Sequence, residues 1–187
     1  MKTLLTVAVV TLAVGIASQA AAQTSGGAVE REGFLFGVAI GGGSISCKDC
    51  DGSSSGPTVD LHIGTMVGEK LAVVLDGSGI GVSEEDDYGD SLNETFTVET
   101  IALQYWVSDR VWVKGGIGVA SMRLSCDGCD SITDNGLGMM GAVGVELYQK
   151  GKFAIDVQGR FLTAKHDLGG GEIRFNQVMG MVGFNWY

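Results

Sequence analysis

The chain has 187 residues, with 12 Lys+Arg against 22 Asp+Glu, 31 Gly and one Pro, and 45% of it is hydrophobic. The acidic balance argues against binding nucleic acid through its phosphates, which takes a basic stripe, and the length suits one domain. So much glycine disfavours long helices, each interior glycine costing about 1 kcal/mol relative to alanine, while abundant, regularly spaced apolar residues argue against disorder.

The chain opens with Lys2, an apolar run from Leu4 to Ala17, and Ala20-Ala21-Ala22 before Gln23. A basic start, a short apolar middle and a small-residue end are the marks of a cleaved secretory signal. The run falls short of the roughly 18 to 20 residues that span a bilayer as a helix. Residues 1–22 are therefore read as a signal peptide and 23–187 as one domain.

From there the hydrophobic period is two. In "FLFGVAIGG", Phe34, Phe36, Val38 and Ile40 share one face, and Leu35, Gly37, Ala39 and Gly41 the other. In "TVDLHIGTMV", Val59, Leu61, Ile63 and Val67 oppose Thr58, Asp60, His62 and Gly64. One apolar face at period two predicts a strand. Six more segments read alike: 71–81, 96–107, 111–122, 138–148, 153–163 and 173–187. Eight strands of roughly 9 to 13 residues result, the length at which a tilted strand crosses a bilayer. Short turns at 68–70, 108–110 and 149–152 alternate with polar loops at about 42–57, 82–95, 123–136 and 164–172. Short turns on one side and long loops on the other predict an all-β, eight-stranded antiparallel up-and-down transmembrane barrel. Closure leaves no unpaired strand edge for hydrocarbon to meet.

The second face carries Asp60, His62, Asp76, Gln104, Lys114, Glu146, Asp156, Gln158 and Arg160. Buried charges must be paired, and eight strands enclose a space that side chains just fill. Lys114, Glu146, Asp156 and Arg160 are accordingly expected as interior charges forming one cluster in a closed polar core. The alternative, a soluble sandwich, would turn these groups outward.

At "ALQYWVSDRVWVKGGIGVASM" (102–122) and "GAVGVELYQKGKFAIDVQGRF" (141–161) the chain resembles the small outer-membrane β-barrel family, the OmpA/OmpX-like eight-stranded proteins. An aromatic pair before a short turn, a Gly-x-Gly strand, and a small-residue strand ending in an acidic and an aromatic residue occur in that order, and the likeness spans residues 33–187. The end departs from the family pattern. Counting back from Trp186 through Phe184, Val182, Gly180 and Val178 gives the better lipid face, so Trp186 and Phe184 are expected outward and Tyr187 just past the membrane edge.

Cys47 and Cys50 lie in the first long loop, and Cys126 and Cys129 in the third, on opposite sides of the expected mouth. Two CxxC pairs suit a four-cysteine zinc site in a cytosolic protein, but an exported chain crosses an oxidising compartment. A shared zinc would need both loops to fold inward and meet. Redox catalysis usually uses a helix N-terminus to activate the thiol. Local disulfides Cys47–Cys50 and Cys126–Cys129 are expected, with cross-loop disulfides, metal and redox work as alternatives.

Catalysis has little support. His62 and His166 offer few options for acid–base work and no nucleophile accompanies them, while "GSGIG" (77–81) and "GGG" (169–171) precede no helix that would cradle a phosphate. The acidic stretch Glu84, Glu85, Asp86, Asp87, Asp90 and Glu94 lacks EF-hand spacing and reads as a solvated loop. No catalytic, metal or cofactor residue is assigned. The resemblance implies an outer-membrane location with both termini in the periplasm, outer-membrane lipids, lipopolysaccharide and the barrel-assembly machinery as partners, and a monomer. The expected role is structural or adhesive, through the loops. Small-solute or hydrophobic-compound transport is the alternative, and a lipid-active enzyme a more distant one.

Overall fold

The computed structural model describes residues 30–48, 53–85, 91–126, 132–167 and 172–187; the signal segment, Cys50, Cys129 and the acidic residues Asp86, Asp87 and Asp90 lie outside these. Eight strands follow in order: β1 (Phe34–Lys48), β2 (Ser53–Gly68), β3 (Leu71–Glu85), β4 (Ser91–Trp106), β5 (Val111–Cys126), β6 (Ile132–Lys150), β7 (Phe153–Asp167) and β8 (Glu172–Trp186). Each pairs antiparallel with the next, and β8 returns to β1, so the sheet closes. Paired residues traced around from Gly37, through His62, Asp76, Thr100, Gly118, Gly138, Ala164 and Phe175, return to β1 at Cys47, ten residues higher. That stagger is the strand tilt that closure demands.

The strands run 15 to 19 residues, longer than the alternation predicts. Stretches expected as loops continue the ladder: Ser46 pairs with Ser53, Val82 with Glu94, and Asp167 with Glu172. Glycine, serine and threonine hide the period-two signal there, whereas backbone hydrogen bonding to a strand already alongside does not depend on side-chain polarity. Arrangement at the turns agrees with expectation. Gly151 adopts φ 59° in the β6–β7 turn, a conformation glycine enters without steric cost.

From the turn end to the other end, the two faces of the wall exchange character. Near the turns the outward face is apolar, with Phe36, Ile63, Leu75, Ile101, Leu103, Val143, Val157 and Val182 exposed. Phe36, Phe153, Tyr148 and Trp186 form a chain of outward rings at this end, with centroids 5.1 to 6.3 Å apart, as an aromatic girdle does at a membrane interface. Toward the other end the apolar residues turn inward. Ile45, Ile80, Val82, Phe96, Val98, Ala120, Leu162, Ala164 and Met179 are buried there, while alternate residues such as Ser44, Thr95, Ser121, Asn135 and Thr163 occupy the outside. The expectation of a polar interior throughout is therefore corrected at this end. A barrel wall surrounded by water needs an apolar inside, and only one surrounded by hydrocarbon does not.

Candidate functional site

Asp60, His62, Asp76, Gln104, Lys114, Glu146, Asp156, Gln158 and Arg160 are all buried. They do not form one cluster. Lys114 and Arg160 meet Asp60 and Asp76 at mid-height, while Glu146 sits at the turn end with a different cation. Asp156 lies between, bonded to neutral groups.

In the middle layer, Arg160 reaches from β7 across the barrel. Its Nη1 lies 2.7 Å from Asp60 Oδ2 and 2.8 Å from Asp76 Oδ1, and its Nε donates to Gln158 Oε1 at 2.9 Å. Nη1 also donates to Ser78 Oγ at 2.6 Å, and that hydroxyl donates to Asp60 at 2.9 Å. Lys114 Nζ stands 2.8 Å from Asp76 Oδ2 and 5.3 Å from the centre of the Trp112 ring. Two carboxylates thus face two cations, so the desolvated layer is balanced and multiply hydrogen-bonded, the condition under which buried ions are tolerated. His62 joins Asp60 (2.9 Å) to Asn185 Oδ1 (3.0 Å). Asn185 Nδ2 donates to Asp156 at 3.0 Å, and that carboxylate also accepts Trp112 Nε1 at 3.0 Å.

Asp60, His62 and Asp76 place ligand-type atoms within 4.8 Å of one another. The guanidinium of Arg160 sits against both carboxylates, and Lys114 against one. A divalent ion there would meet two resident cations at close range, so these residues are built as a salt-bridge lock and do not fit a metal.

The turn-end layer is the part that sequence reasoning missed. Glu146 is fully buried and collects four donors: Arg31 Nη2 (2.7 Å), Trp106 Nε1 (2.8 Å), Gln149 Nε2 (2.7 Å) and Tyr187 Oη (2.8 Å). A bulge at Leu147 shifts the register between Glu146 and Tyr148. It leaves Leu147 and Tyr148 both outward and turns Gln149 inward, re-aiming a side chain as bulges do. Trp186 is exposed and Phe184 partly so, as expected. Tyr187, expected beyond the membrane edge, instead folds its ring inside against Trp106, centroids 5.7 Å apart. The sequence signal was available: a buried carboxylate at Glu146 requires partners, and the alternation that put Trp186 outward put Tyr187 inward.

At the far end, buried His166 lies 2.6 Å from Asp134 Oδ2 and edge-on to Phe175 at 5.7 Å. Its partner is thus a cross-strand aspartate, and both histidines serve as hydrogen-bonded interior residues. Cys47 is disulfide-bonded. Cys50 and Cys129, and the side chain of Cys126, lie outside the described residues, so the expected pairing stands as a proposal. Non-reducing peptide mapping by mass spectrometry should recover Cys47–Cys50 and Cys126–Cys129 as separate intra-peptide bridges. A crosslink between the two peptides, or free thiols in exported protein, would contradict it.

Residues 8–185 match the family described as "Outer membrane protein beta-barrel domain". No curated protein sequence matches the chain. Among solved structures, the chain is similar to Ail, the attachment invasion locus protein of Yersinia pestis, crystallised with the heparin analogue sucrose octasulfate. Identity is 13%, covering 83% of this chain and 99% of that one, with a TM-score of 0.58. It is also similar to Neisserial surface protein A, with 15% identity, 83% and 99% coverage and a TM-score of 0.54. At such identities these likenesses speak for the fold. With its closed barrel and its family match, the chain belongs to the outer membrane protein β-barrel domain family and resides in the outer membrane.

Proposed function

We propose that the protein is a non-enzymatic surface barrel that acts through the end opposite its short turns, in envelope integrity or adhesion. In this reading residues 1–22 are a cleaved signal peptide and both termini of the 23–187 domain face the periplasm. The observation that carries it is the exchange of faces between the two ends of the wall. Past the last outward apolar residues, such as Ile40, Val119 and Val178, the wall continues as a barrel with a mainly apolar inside and a polar outside. This stiff projection raises the connecting loops clear of the bilayer, where a partner can reach them. Expected disulfides in two of those loops would stiffen them further.

Two further points support the reading. Arg123, Lys165 and Arg174 lie on the outward-phased positions of the projection, with Lys165 and Arg174 paired in register, where lipopolysaccharide phosphates would meet them. Ail, similar in fold, is an attachment protein solved with a sulfated ligand. Transport is disfavoured by the middle layer, where Arg160, Asp60, Asp76 and Lys114 are buried and ion-paired between β7, β2, β3 and β5. Catalysis is disfavoured because, among the described residues, His62 and His166 each engage an aspartate and no Ser, Thr or Cys side chain is bonded to either imidazole ring.

A deletion strain and its complemented parent would be compared for surface adhesion and for uptake of small solutes. Loss of adhesion with unchanged uptake is the expected result, and the reverse would favour transport. Purified protein in planar bilayers should give no steady conductance steps. Regular steps would sink the closed-lumen reading.

A further inference from the structure

The Glu146 cup has an occupant that the barrel does not supply from its own strands. Arg31 precedes β1, yet its guanidinium enters the turn-end opening. Nη2 donates to Glu146 Oε2 and to the carbonyl of Asp109, both at 2.7 Å. The guanidinium carbon lies 4.9 Å from the centre of the Trp106 ring and 5.4 Å from that of Tyr187. Trp106, Tyr187 and Gln149 each bond Glu146 themselves, so walls and floor are held in place by contacts that do not involve Arg31. An aromatic pair set beside a buried carboxylate is the arrangement that recognises an organic cation. Contact with two aromatic rings at once favours a planar, weakly hydrated guanidinium over a compact, strongly hydrated ammonium.

We propose that this cup is a preformed receptor for an alkylguanidinium group, such as an arginine side chain, and that Arg31 occupies it in cis. Arg31 thereby pins the segment before β1 to the barrel and stops the opening. With Arg31 truncated, the cup takes the same chemical group from solution.

The test is chemical rescue. Arg31→Ala, refolded in detergent micelles, is titrated with ethylguanidinium and, at equal ionic strength, with ethylammonium, while tryptophan fluorescence and the thermal midpoint are followed. Truncation should lower the midpoint. Ethylguanidinium should restore most of the loss with a saturable fluorescence change, and ethylammonium should need about tenfold higher concentration. Wild type, its cup filled, should respond to neither. Arg31→Ala combined with Glu146→Gln should lose the saturable response. If Arg31→Ala does not refold, Arg31→Lys takes its place in the same titration, because the ammonium fills the cup poorly. Equal responses to the two cations, a response in wild type, persistence in the Glu146→Gln background, or no saturable response in the truncated protein would each overturn the proposal.

Discussion

Replacing Arg160 with methionine is expected to cost the folded barrel about 3 to 5 kcal/mol. Methionine fills much of the same space, so the loss is electrostatic. The guanidinium is the shared partner of Asp60 and Asp76 at 2.7 and 2.8 Å, and without it Lys114 faces two buried carboxylates alone. Both carboxylates are buried, at 0% and 3% exposure, as are Phe96, Leu162 and Met179 in the apolar tier, so loss of the guanidinium is not offset by hydration. Urea unfolding in micelles, followed by tryptophan fluorescence, would measure the loss. Combining Arg160→Met with Asp60→Asn restores charge balance, and the double variant should be more stable than Arg160→Met alone. A single variant within about 1 kcal/mol of wild type would show that the ion pairs contribute little, as exposed pairs do.

Gly118→Ala should be the most damaging one-carbon change available in the wall. A Cβ built there would collide with the carbonyl oxygen of Glu99 on the neighbouring strand, and the same holds at Gly136 against Lys165 and at Gly56 against Gly81. These obstacles are backbone, which cannot rotate away, so the strand pair must separate, at about 3 kcal/mol or more. Gly159→Ala provides the control. It faces outward with nothing within 4 Å and should change stability by no more than about 0.5 kcal/mol. Equal stability of the two alanine variants, read from the folded band on unheated gels and from urea midpoints, would refute the steric account. The contrast also explains the high glycine content: inward glycines permit the close strand approach of a narrow, strongly staggered barrel, whereas several outward ones have no such duty.

Much of this architecture was legible from alternation. Phe36, Leu61, Leu75 and Trp186 faced outward, and Asp60, Lys114 and Arg160 inward, because a period of two leaves one choice once the lipid face is identified. Strand length was not legible at the loop end. There Ser, Gly and Thr alternate with Ile80, Val82 and Phe96, and a reader seeking apolar residues outside finds the pattern broken, although the phase never changes. The interior charges were identifiable singly but not as pairs, since Arg160 meets Asp60 and Asp76 only after β7 is carried around to β2 and β3. The cup was less accessible still. It draws on a residue before the first strand and a bulge after Glu146, neither of which alternation records, together with Tyr187, for which alternation gives the inward phase but not the partner.

The meeting of Arg31 and Tyr187 on Glu146 also has a kinetic side. Residues from the beginning and the end of the described chain come together there, beside the β1–β8 seam, the pairing with the greatest separation along the chain. Such a contact is made late, after the cost of closing the longest loop has been met. Interactions absent from the transition state act on the rate of unfolding and leave the rate of folding nearly unchanged. The cup is therefore a clasp on the last seam to close: weakening it shortens the lifetime of the finished barrel without slowing its formation.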